Sequence, residues 1–174
     1  MNALGKTGSQ IRVLFFFINY RRLILLLFLS FFLNSGFGQV KSFVDKFGPL
    51  TDSLSIEYSI PRAVILGVSI IESGSGTSRN CKLLNNYFGM VGKNNLYKTK
   101  RIKTRYKQYP DAISSFIDFC KLMTRKKFYK KLKENTDYKL WIDAISKASY
   151  SEVPETWKQR VLSVIRKNKL YATL

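Results

Sequence analysis

The run "ILGVSIIESGSGTSR", Ile65 to Arg79, ends an apolar helical stretch on one carboxylate, Glu72, and then breaks into Ser73, Gly74, Ser75 and Gly76. Ile65 and Val68 stand seven and four residues before Glu72, on the same face of a helix. That face is the one expected to meet the core, so Glu72 should emerge at the core's edge. Partial burial there disfavours the anion and raises the pKa. A carboxylic acid still protonated near neutral pH is what glycoside cleavage needs to protonate a leaving oxygen. The small residues leave room for a substrate. The competing reading is a helix-end Glu paired with a Lys or Arg, although a negative helix C-terminus gains nothing from a carboxylate.

Little other side-chain chemistry is on offer. The chain has no His, which removes histidine-based triads and most zinc sites. Cys81 and Cys120 are its only cysteines; their spacing leaves a disulfide open, and two thiols alone make no metal site. No cofactor or metal is expected.

The elements that must hold Glu72 are mostly helical. Val40, Phe43, Val44 and Phe47 follow the helical period, and Gly48-Pro49 should break or restart that helix, with a second segment running to Tyr58. Pro61 suits the first turn of the Glu72 helix. Residues 73–92, rich in Gly, Ser and Asn, read as loop. From Leu96 to Tyr109 charged and β-prone residues mix without helical period, which predicts a short basic hairpin or extended lobe. Asp111 can cap a helix with Ile113, Phe116, Ile117 and Cys120 on one face. Asp137 can cap another with Trp141, Ala144, Ile145 and Ala148 inward. The last helix should begin near Pro154 and bury Trp157, Val161, Val164 and Ile165. At helical spacing Trp141 and Trp157 read as core.

The first 38 residues differ from the rest. Lys6, Arg12, Arg21 and Arg22 are their only charges, Leu23–Leu33 is an apolar run, and Gly36 and Gly38 precede Gln39 in a small-x-small pattern. Basic start, short apolar run and small-residue end predict an export signal over 1–38, with an uncleaved anchor as the alternative. The domain proper is then 39–174. It keeps all 11 acidic residues and 26 of the 30 basic ones, a formal charge of +15. Such a surface favours anionic polymers. Export argues for a cell wall and against nucleic acid, and limits membrane contact to the transient passage of the signal. The basic run Arg125–Lys133 reads as a solvated face that can also attract wall polymer.

"IPRAVILGVSIIESGSGTSR" followed by "NNYFGMVGKN" resembles the glucosaminidase family of peptidoglycan hydrolases, glycoside hydrolase family 73, which includes flagellar-type muralytic domains and autolysins. "RYKQYPDAISSFIDF" resembles the family's entry into its next helix, and "SYSEVPETWKQRVLSVI" its closing segment. The resemblance covers roughly residues 41–171. It implies an α+β, predominantly helical fold, with a lysozyme-like helical body, a small β-hairpin lobe and a cleft between them. It implies a monomeric, exported enzyme acting on peptidoglycan glycan strands, cleaving the β-1,4 bond after N-acetylglucosamine. Glu72 falls on the catalytic acid and Tyr150 on a cleft tyrosine. Ser73, Asn85, Asn86, Tyr87, Phe88, Gly89, Tyr106 and Tyr109 fall on substrate-binding or cleft-shaping positions.

Two departures from the family's pattern matter. Lys93–Pro110 contains no Asp or Glu where many members place a second acid, and Val153 stands where an acidic residue closes the last motif. Both standard routes of glycoside hydrolysis use two carboxylates. Asp111, Asp118 and Glu152 are the candidates for the second, with the substrate's 2-acetamido group as a substitute. A lytic transglycosylase or muramidase working from one Glu, and a wall-binding module without activity, are the alternatives.

Overall fold

A computed structural model describes residues 38–148 and 150–172. The segment expected to direct export lies outside these residues. Val40–Leu174 forms a unit of its own.

Eight helices make up the described chain: α1 (38–58), α2 (Arg62–Ser73), α3 (Arg79–Leu84), α4 (Leu96–Lys100), α5 (Ala112–Thr124), α6 (Tyr129–Leu132), α7 (Tyr138–Lys147) and α8 (Pro154–Lys167). α2 runs through the centre, with Ala63 to Ile70 all buried, and packs chiefly on α8, which also packs on α7. The α2–α8 approach is close because Gly67 faces α8. A Cβ there would lie 2.6 Å from Ile165 Cγ1. An apolar cluster of Phe43, Phe47, Tyr87, Phe88, Phe116 and Phe119 fills the space between α1, α5 and the 85–90 turn.

Several sequence expectations hold. Asp111 accepts from Ser114 N–H at 2.7 Å to cap α5, and Asp137 accepts from Lys139 N–H at 2.9 Å to cap α7. Pro154 opens α8, with Glu155 in its first turn and Arg166 and Lys167 in its last.

Others give way. α1 does not break at Gly48-Pro49 but continues to residue 58. Thr51 Oγ1 and Ser53 Oγ donate to the carbonyls of Gly48 and Pro49 at 2.9 and 3.1 Å. Phe43, Phe47 and Leu54 anchor both halves of α1 in the core, and that burial outweighs the bond lost at proline. The stretch read as loop contains α3, capped by Ser78 and anchored by buried Cys81 and Leu84. On α5 the buried face is Ser115, Phe116, Phe119, Cys120 and Met123, while Ile113, one turn before Phe116, is 52% exposed. Cys81 and Cys120 are buried free thiols.

The expected β-hairpin is the main correction. Its first residues form α4, and among the described residues no strand forms. A single antiparallel bridge joins Val91 to Tyr106, flanked by Gly92 N–H to Arg105 O at 2.9 Å and Lys107 N–H to Met90 O at 2.7 Å. Asparagine side chains replace the ladder. Asn94 Nδ2 donates to the carbonyls of Thr104 and Tyr106, and Asn86 Nδ2 to that of Lys107. These amides take up carbonyls that a paired strand would otherwise satisfy.

Candidate active site

Glu72 lies in the last turn of α2. Gly74 closes the helix in the left-handed region at φ 56°, its N–H returning to Ile70 O. Ser73 is buried, donating to Ser69 O at 2.6 Å and accepting from Gly76 N–H at 2.8 Å. Its hydroxyl therefore fixes the turn that follows Glu72 rather than facing the cleft.

The Glu72 carboxyl is half-buried. Oε1 accepts from the indole N–H of Trp157 at 2.7 Å. Burial pushes its pKa up, while the Trp157 hydrogen bond and the Arg160 charge pull the other way without cancelling the rise. Trp157, in the first turn of α8, reaches Glu72 because Gly67 lets α8 lie against α2. Core spacing alone predicts a space-filling Trp157. Its ring is indeed buried, but a buried indole N–H needs an acceptor, and the carboxylate at the apolar edge of α2 supplies it.

Opposite Glu72 runs the 85–90 turn. Asn86 is buried; its Oδ1 accepts from Met90 N–H at 3.0 Å and its Nδ2 donates to Met90 O at 2.9 Å. Asn85, left-handed at φ 51°, ties the same turn to Tyr109 O and Pro110 O. Both asparagines shape the backbone. Tyr87 and Phe88 point into the core, Phe88 stacking on Phe119 with centroids 4.2 Å apart. Gly89 faces Glu72. Its φ of +65° is left-handed, and a Cβ there would lie 3.0 Å from Glu72 Oε2. Tyr150, half-buried, donates to Phe88 O at 2.8 Å, and its ring sits 5.3 Å from that of Trp157. Burial, then the Glu72 charge, holds its hydroxyl well above the ordinary value, so it stays a donor.

An open cleft of about 760 Å³ brings Glu72, Gly89, Tyr106, Tyr150 and Glu152 together, with Val91 and Arg105 on the lobe side. A smaller arm of about 250 Å³ continues from Glu72 past Met90, Leu122 and Lys126. Glu72 therefore sits where the two arms join. Arg105, Val91 and Lys126 carry no sequence signal for this placement.

The other expected residues lie elsewhere. Tyr109 is buried, its hydroxyl donating to Asp118 Oδ2 at 2.7 Å. Lys107 Nζ meets the same oxygen at 2.7 Å. Burial pushes the Asp118 carboxyl up, but these donors pull harder and leave it below its usual range. Asp111 serves as the α5 cap. Among the three candidate second acids, Glu152 alone lines the cleft; its side chain is 87% exposed and lies 3.3 Å from Arg105.

A family model for glucosaminidase, described as mannosyl-glycoprotein endo-beta-N-acetylglucosaminidase, matches residues 48–170. No curated protein matches the sequence. Among solved structures, the chain resembles the catalytic domain of the autolysin Auto from Listeria monocytogenes, with TM-score 0.64 and 19% identity, over 76% of this chain and 86% of that one. It resembles the glycoside hydrolase domain of Salmonella typhimurium FlgJ, with TM-score 0.59 and 21% identity, over 75% and 88%. A type VI secretion system effector-immunity complex from Pseudomonas protegens gives TM-score 0.56 and 18% identity, over 78% and 95%. At these identities the neighbours speak for the fold, a predominantly helical, lysozyme-like body. The family match spans most of the chain, which belongs to the glucosaminidase family of glycoside hydrolases.

Proposed function

We propose that the protein hydrolyses the β-1,4 bond after N-acetylglucosamine in peptidoglycan, with Glu72 as the general acid. The observation that carries this is a half-buried carboxyl with a raised pKa at the junction of the two cleft arms. The autolysin among the fold neighbours favours a wall polymer as substrate. Protonated Glu72 gives its proton to the glycosidic oxygen as the bond to C1 breaks. Among the described residues the cleft offers one other carboxylate, Glu152, exposed and tied to Arg105. The 2-acetamido oxygen of the substrate is then the group that attacks C1. Water opens the resulting ring, returning a proton to the Glu72 carboxylate.

The new reducing end tests the reading. After digestion of purified peptidoglycan and borohydride reduction, mass spectrometry should find N-acetylglucosaminitol ends. N-acetylmuramitol ends would overturn it.

Glu152→Gln tests the second group. Substrate-assisted attack predicts turnover within roughly tenfold of the parent. A fall comparable to the 10² or more expected for losing an acid–base group would instead give Glu152 the second role.

A lytic reading has one observation in its favour, the single half-buried carboxyl in the cleft. There the sugar's own 6-hydroxyl would replace water and leave an anhydro end.

We place this activity in the cell envelope, on the export pattern of residues 1–38. N-terminal sequencing from the envelope fraction should begin at Gln39; a full-length protein held in the membrane would contradict cleavage.

A further inference from the structure

We infer that the smaller cleft arm is a carboxylate-recognition site, in which Lys126 holds an acidic substituent on the sugar next to the scissile bond. The inference rests on the peptidoglycan reading of the cleft.

Lys126 lies between α5 and α6 and is half-buried, lining the arm together with Phe88, Met90 and Leu122. The half-buried side chain sets a cation at the edge of these apolar walls, and an anion is the partner that it would attract. Among the described residues no carboxylate lies within ion-pair distance of it. Arg105, the cation of the larger arm, is already tied to Glu152.

Substrate chemistry supplies the anion. In peptidoglycan every second sugar carries a 3-lactyl ether, bearing either a free carboxylate or a peptide with carboxylates of its own. If the bond after N-acetylglucosamine is cleaved, both sugars adjoining that residue are of the acid-bearing kind. Lys126 therefore meets an acid-bearing sugar whichever way the strand runs through the cleft. A neutral glucosamine homopolymer offers nothing there. Lys126 is thus a specificity residue, separating wall glycan from neutral glycans of the same linkage.

The test measures binding by the full-length protein to peptide-free strands, to peptide-bearing strands, and to both after their carboxylates are converted to amides. The parent should prefer the acidic form by roughly tenfold, the scale of one charge-assisted hydrogen bond. Lys126→Met keeps the apolar stem and should abolish that preference, and Lys126→Arg should retain most of it. Lys130→Met, which removes the same charge from exposed α6, should leave it intact. A preference on peptide-free strands assigns the lactyl carboxylate; one confined to peptide-bearing strands assigns the stem. Because each preference is a ratio within one variant, partial unfolding cancels. A preference that survives Lys126→Met, or that Lys130→Met loses equally, overturns the site in favour of the general positive field. If the parent cleaves none of these strands, the functional reading fails, while the binding ratios still decide the role of Lys126.

Discussion

Glu72→Gln should lower turnover on peptidoglycan by about 10²–10⁴-fold, the usual contribution of a positioned acid, with a melting temperature that holds or rises slightly. Gln keeps the shape and an oxygen for the Trp157 indole, but it has no proton to give. The stability half follows from the raised pKa. A group that binds its proton more tightly when folded favours folding at low pH, and that contribution is lost as pH climbs through the raised value. Above the raised value the parent carries a half-buried charge that Gln removes. The gain should grow as pH rises through that value and vanish in acid, below the ordinary carboxyl range. A Glu72 that served only as an ion-pair partner would give the reverse, with unchanged turnover and a lower melting temperature.

Trp157→Phe should reduce the maximal rate by roughly 10- to 100-fold, the value of a hydrogen bond to a charged group. It should also move the alkaline limb of the pH–rate profile upward. The indole N–H stabilises the Glu72 anion from 2.7 Å, so its loss leaves burial less opposed and raises the pKa further. Slower at its optimum yet active to higher pH is a combination that a packing defect does not produce. A Trp157 that only filled space would cost rate and melting temperature and leave the limb where it was. Trp157 is thus expected to act as a positioning residue, through Glu72.

The placement of Glu72 is legible in the sequence because helical period and apolar content together fix which face of α2 is buried, and one carboxylate sits at its end. Helix caps at Asp111 and Asp137 are legible for a similar reason, each needing a single side chain and a neighbouring N–H. The lobe is not. Its β-prone residues suggest a ladder, but Asn86 and Asn94 satisfy backbone carbonyls from a distance in sequence, and that long-range bonding leaves no period to read. Proline at position 49 misleads for the opposite reason, since a strong local signal is overruled by the burial of Phe43, Phe47 and Leu54. Within the site, the motif match names Asn85, Asn86 and Gly89, which lie in one turn of the structure, but a motif does not tell backbone shaping from substrate contact. Trp157 stays hidden because an indole at core spacing shows its apolar body and not its polar edge.

Hydrolysis at N-acetylglucosamine driven by Glu72 is tested most directly by digestion in water enriched in heavy oxygen. The bond to C1 that the protein breaks should be replaced by one to solvent oxygen. Mass spectrometry should then find the label at the reducing carbon of released N-acetylglucosamine ends, in the parent and not in Glu72→Gln. Unlabelled anhydro ends, or labelled ends undiminished in Glu72→Gln, would contradict it.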